Sequence, residues 1–90
     1  MNDGTVRDTV GAFLRGALRH NDLADEDDVF ALGLISSMFA MELVEFVERE
    51  FGIAVESEDL EMENFQSIAA ITRLVAAKSA VAGAARGMVS

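Results

Sequence analysis

Apolar residues recur at helical spacing in three stretches of this chain, and no stretch shows the strict alternation of a half-buried strand. The first runs from about Thr5 to His20, with Val6, Val10, Phe13, Leu14, Ala17 and Leu18 on one stripe and Asp3 or Thr5 as the expected N-cap. The second runs from about Ser37 to Phe51, with Phe39, Leu43, Phe46 and Val47 along one side. Ser36 is placed to cap it, and Gly52 to supply the left-handed residue that ends it. The third opens at Ser67 and carries Ile68, Ile71, Leu74 and Val75 to about Lys78. Between the second and third, Ile53 and Val55 are apolar anchors, and Ser57-Glu58-Asp59-Leu60 reads as one helical turn. The fold class this implies is all-α: a small bundle of three main helices and one short one.

Residues 21–35 form a long connection that begins acidic and ends apolar. A bare connection of this length is unusual in a compact domain unless it packs on itself or serves function. Phe30 and Leu32 are expected to plug into the core, and Gly33 to mark a bend. Residues 1–78 are expected to form the folded unit, with 79–90 an Ala- and Gly-rich flexible tail.

The charge is segregated. Fourteen acids stand against the single base Arg49 between Asp22 and Glu63, while both ends are mildly basic, and the net charge is -9. No basic patch is available for phosphate backbones, so neither nucleic acid nor an anionic membrane is an expected partner. The acidic block suits either a solvated face on a soluble monomer or a docking face for basic proteins. No apolar run reaches the roughly 18 residues of a membrane span, and the N-terminus shows no signal-peptide pattern. A cytoplasmic protein is expected.

Composition also limits catalysis. There is no Cys, so no thiol nucleophile and no thiolate metal site. His20, the single His, sits at the end of the first helix, where a solvated or C-capping role is the ordinary one. Gly83 to Gly87 lacks the Lys-Ser/Thr end of a phosphate loop, and Asp22 to Asp28 lacks the spacing of a calcium loop. A small serine hydrolase would need His20 beside Ser36 or Ser37, and nothing in the sequence places it there. No catalytic or metal-ligating residue is therefore expected.

What remains is the junction Leu32-Gly33-Leu34-Ile35-Ser36-Ser37-Met38-Phe39-Ala40-Met41-Glu42-Leu43. By spacing alone, its two hydroxyls read as an N-cap and a polar first-turn residue. A helix N-terminus also presents unpaired N–H groups and partial positive charge, which favour a phosphodiester.

This junction resembles the acyl carrier protein family, whose pattern is Gly-x-Asp-Ser-Leu followed by an acidic-apolar helix. Here Gly33-Leu34-Ile35-Ser36-Ser37-Met38 leads into Glu42-Leu43-Val44-Glu45-Phe46-Val47-Glu48 and closes with Glu50-Phe51-Gly52-Ile53. Asn64-Phe65-Gln66-Ser67-Ile68 is similar to the approach to the family's last helix. The resemblance covers about residues 5–78. In the family the modified Ser lies five positions before the Glu, which selects Ser37. Three positions depart from the pattern: Ser36 stands for the usual Asp, Met38 for Leu, and Phe39 for a polar residue.

The resemblance implies a non-catalytic carrier with an acyl-carrier-like bundle. Ser37 would receive 4'-phosphopantetheine from coenzyme A through a phosphopantetheinyl transferase, and the arm's thiol would carry cargo as a thioester. It also implies docking of the helix after Ser37 on basic surfaces of acyl-loading and acyl-modifying enzymes or a synthase, through Glu42, Glu45 and Glu48. Met38 and Met41 would add adaptable apolar contact; Met38 is expected on the surface, and Met41 on the surface or in the core. Residues Ile35 to Met41, with Asp59-Leu60 and Asn64-Phe65, look like the discrete carriers that build alkoxymalonyl extender units for polyketide synthases. Fatty-acid synthesis, aminoacyl or peptidyl loading, and a helical interaction module without a prosthetic group are the other readings.

Overall fold

The computed structural model describes the backbone of residues 3–89 and the side chains of residues 4–79. Among the described residues four α-helices follow one another: α1 (Asp3–Leu18), α2 (Ser37–Phe51), α3 (Met62–Phe65) and α4 (Ile68–Val89). A 3-10 turn, Ser57–Asp59, precedes α3. No strand occurs among the described residues, so the all-α expectation holds. The short helix is α3; the turn expected at Ser57 is the 3-10 turn, and α3 itself was not expected.

The core is one cluster to which all four α-helices contribute. Val6, Val10 and Leu14 come from α1, Leu43, Val47 and Phe51 from α2, Phe65 from α3, and Ile68, Ile71, Leu74 and Val75 from α4. The helices α1 and α3 both pack against α4. Phe13 of α1 stacks on Phe46 of α2, with centroids 3.9 Å apart and planes 11° apart.

The ends of α1 differ from expectation. Asp3 and Thr5 both lie inside the helix, so neither is its N-cap. The helix stops at Leu18 because Arg19 takes a left-handed φ of 54°. The His20 N–H then donates to the Arg15 carbonyl at 3.0 Å, closing the C-terminal motif that Gly usually supports. In α2 both expectations hold: Ser36 caps it, and Gly52 ends it at φ 63°. Ser67 caps α4, its Oγ accepting from the Ala70 N–H at 3.0 Å. The helix α4 continues past Lys78, where its apolar face was expected to end. Of the flexible tail expected over 79–90, every side chain after Ser79 falls outside the described residues.

The long connection packs on itself and on the bundle. Leu23 and Val29 are its buried residues, whereas Leu32 is 55% exposed. Leu32 is therefore not a core plug, and Phe30 is only partly buried against the cluster. Val29 goes inward because its N–H donates to the Gln66 carbonyl at 2.7 Å, which fixes the loop against the α3–α4 junction. The Asp25 carbonyl accepts from the Ala69 N–H, and its carboxylate lies 3.5 Å from Arg7 and 3.4 Å from Arg15. Asp27 and Asp28 accept local backbone N–H groups, so part of the acidic block serves the turns of this loop.

A second tie joins the 3-10 turn to α4. Lys78 Nζ donates to Asp59 Oδ2 at 2.7 Å, and the Glu56 N–H donates to the same oxygen at 3.0 Å. These bonds, led by Lys78, hold the Asp59 carboxyl below its ordinary value of 3.8, while Asp59 holds the Lys78 ammonium above 10.5. Asp59 thus adds stability above its unfolded pKa that is lost as pH falls through the lower folded value. Lys78 adds stability below its unfolded pKa that is lost as pH rises through the higher folded value. Lys78→Met is expected to flatten the loss of stability on the acid side of pH 4 and on the alkaline side of pH 10. Urea unfolding midpoints across both ranges check this; a variant profile parallel to the wild type in both contradicts it.

Candidate functional site

The site is the head of α2. Gly33 turns the loop at φ 71°, and the Leu34 N–H returns to the Val29 carbonyl at 3.0 Å. Leu34 and Ile35 pack on the core and carry the chain to Ser36 in extended conformation, at φ -86° and ψ 164°. The Ser36 Oγ then accepts from the Phe39 N–H at 3.1 Å. One of the four N–H groups that helix geometry leaves without an intrahelical acceptor is satisfied in this way.

The two serines are therefore not equivalent. Ser36 is committed to the cap. Ser37 is exposed, and its hydroxyl has no partner among the described residues. The first turn of α2 holds no acidic residue, so no carboxylate there neutralises the positive end of the helix dipole. An accessible hydroxyl at such an end fits an attached phosphodiester, whose charge the dipole and nearby N–H groups favour.

Apolar side chains are exposed on α2 after Ser37 and on the segment that follows the helix. Met38 is 77% exposed and Met41 is 68% exposed, which settles Met41 on the surface rather than in the core. Leu60 and Met62 are also exposed. Between α2 and these residues lie two neighbouring recesses. One, of about 150 Å³, is lined by Phe30, Ala40, Leu43, Val44, Met62 and Phe65. The other, of about 380 Å³, is lined by Ala40, Met41, Val44, Glu45, Glu48 and Leu60.

The three acids of α2 also part company. Glu42 and Glu45 are exposed, and Glu45 borders the larger recess. Glu48 is half-buried, and its Oε2 accepts from the Val55 N–H at 2.9 Å. Its carboxylate thus fastens the chain after α2, a role helical spacing does not reveal, because the partner lies beyond the helix. Away from this face, His20 Nδ1 lies 2.9 Å from Asp22 Oδ1.

The head of α2 thus presents an exposed hydroxyl with no hydrogen-bond partner among the described residues. The family model described as phosphopantetheine attachment site matches residues 5–75, and the chain belongs to that family. It is an acyl carrier protein family member whose prosthetic group is 4'-phosphopantetheine. Carrier domains of this family are generally modified by a phosphopantetheinyl transferase and interact with synthase enzymes. No curated protein matches the sequence significantly. No described helix is long and apolar enough to cross a membrane.

Proposed function

We propose that Ser37 bears the arm and that the chain is an acyl carrier protein of polyketide or related specialised metabolism. The observation that supports Ser37 most is the division of labour between the serines: Ser36 is held by the cap, and Ser37 is exposed with no partner among the described residues. In the loading step, Ser37 Oγ forms a bond to the pantetheine-side phosphorus of coenzyme A. The bond from that phosphorus to the adenosine bisphosphate breaks, and the hydroxyl proton passes to a base of the transferase. When bound, the group supplies a thiol that holds cargo as a thioester, a nucleophile this chain lacks. The protein's own part is to present that tether at high effective concentration to successive enzymes.

Met38, Met41, Glu42 and Glu45 are the proposed contact residues, with Glu48 contributing charge while also holding the Val55 N–H. Methionines adapt to several partners, and exposed acids speed encounter with basic surfaces without lengthening residence. Glu45→Lys is expected to lower kcat/KM of a partner enzyme by roughly three- to tenfold at low salt. The effect should shrink as salt rises, and the thermal midpoint should not change. A variant turned over like the wild type at low salt would contradict the docking role.

For the cargo we favour an acyl group, specifically an oxygenated three-carbon unit bound for an alkoxymalonyl extender. The likeness of Ile35 to Met41, Asp59-Leu60 and Asn64-Phe65 to discrete carriers of that pathway supports this reading. Intact mass of the chain purified from its native host checks it. A holo mass plus a glyceryl- or alkoxymalonyl-type acyl group is expected; an aminoacyl mass contradicts it.

A further inference from the structure

We propose that Phe39 is a positioning residue for modification of Ser37, acting through Phe13 of α1; this rests on Ser37 being the attachment site. The first turn of α2 has little to hold it. Ser37 is exposed, and Met38 is 77% exposed. Phe39 is the first side chain of the helix that packs against the core. Its ring stacks on Phe13, with centroids 5.9 Å apart and planes 11° apart. Its N–H is the one that Ser36 Oγ caps, at 3.1 Å.

Phe39 therefore joins two restraints. The cap ties it back to the residue before Ser37, and the ring ties it across to a neighbouring helix. Ser37 sits inside that closed path, and its side chain makes no hydrogen bond of its own among the described residues. Phe13 also stacks on Phe46 at 3.9 Å, so α1 grips α2 at two levels, and only the Phe39 level lies beside the hydroxyl. Phosphoryl transfer needs the attacking oxygen placed to within a fraction of an ångström, and a misplacement of about 1 Å can cost on the order of 100-fold in rate. Loosening the Phe39–Phe13 stack widens the range of Ser37 Oγ positions. The recess-facing side of α2 (Ala40, Met41, Val44, Glu45) is left as it was, so the loss falls on kcat rather than KM.

Steady-state loading by a phosphopantetheinyl transferase of broad specificity, with coenzyme A as donor, tests this in the full chain. Leu replacements keep the bulk and remove the stack. Phe39→Leu and Phe13→Leu are each expected to lower kcat about tenfold, with KM within about threefold of wild type. Phe46→Leu removes the closer stack far from Ser37 and should load at the wild-type rate. Phe39→Tyr should restore loading. Circular dichroism confirms that each variant is folded at the assay temperature. The Phe13 variant decides between positioning and direct contact, because it leaves the Phe39 side chain available to the transferase. Wild-type loading of Phe13→Leu overturns the proposal, and so does equal slowing of all three Leu variants. Failure of the unaltered chain to take the arm on Ser37 would instead overturn the site assignment.

Discussion

Ser37→Ala is expected to abolish loading by coenzyme A and a phosphopantetheinyl transferase, while Ser36→Ala leaves the protein loadable and less stable. The two effects separate because the hydroxyls do different work. Ser36 Oγ accepts from the Phe39 N–H at 3.1 Å, and loss of such a cap costs about 1 kcal/mol. Ser37 makes no side-chain hydrogen bond among the described residues, so its removal should barely move the unfolding midpoint. Intact mass read beside thermal unfolding gives both quantities for each variant. Loading retained in Ser37→Ala, or a stability loss in Ser37→Ala larger than in Ser36→Ala, would contradict this division.

The largest expected loss of stability follows Leu43→Ala. Leu43 is fully buried on the inner face of α2, and it also floors the smaller recess. Truncation removes burial and leaves a void that close-packed neighbours fill only partly. A cost of about 2–5 kcal/mol is expected, against a total of about 5–15 kcal/mol for a domain of ordinary stability. Urea unfolding should show a lower midpoint with little change in slope. A midpoint within experimental scatter of wild type would mean that α2 is not seated on the core as described. Met41→Ala on the opposite face is the control, and its midpoint should stay close to wild type because Met41 is 68% exposed.

The parts of the fold legible in the sequence were those set by local rules. The ends of α2 follow from Ser36 and Gly52, a capping hydroxyl and a left-handed glycine that act within a turn of themselves. The apolar stripes of α1, α2 and α4 follow from helical periodicity, and Val6, Val10, Leu14, Leu43, Val47, Ile68, Ile71, Leu74 and Val75 on those stripes are buried, with Phe51 and Ala70 buried beside them. The misses have separate causes, one a distant partner and two local. Leu32 looks as apolar as Val29, but the bond from Val29 N–H to the Gln66 carbonyl sends Val29 inward and leaves Leu32 outside. The helix α3 has four residues, too few for a period to register. Arg19 ends α1 in a conformation that Gly usually takes, so no local signal marked the stop.

The candidate site was legible as a region, and its division as a matter of resemblance. Spacing put two hydroxyls at a helix head, and the likeness to the carrier family favoured the second. The capping bond made by Ser36 and the exposure of Ser37 support the same choice on independent, physical grounds. Glu48 was legible as an acid of α2 but not as the acceptor for the Val55 N–H, because its partner lies seven residues along the chain, past the helix end. Charge reversal at Glu45 is therefore the cleaner probe of docking, since Glu48 serves the fold as well.

Fragmentation of the chain after loading from coenzyme A locates the added mass among the residues of the α2 head. One 4'-phosphopantetheinyl group per chain is expected, on Ser37. The same group found on Ser36, or on a hydroxyl outside this junction, would contradict this assignment.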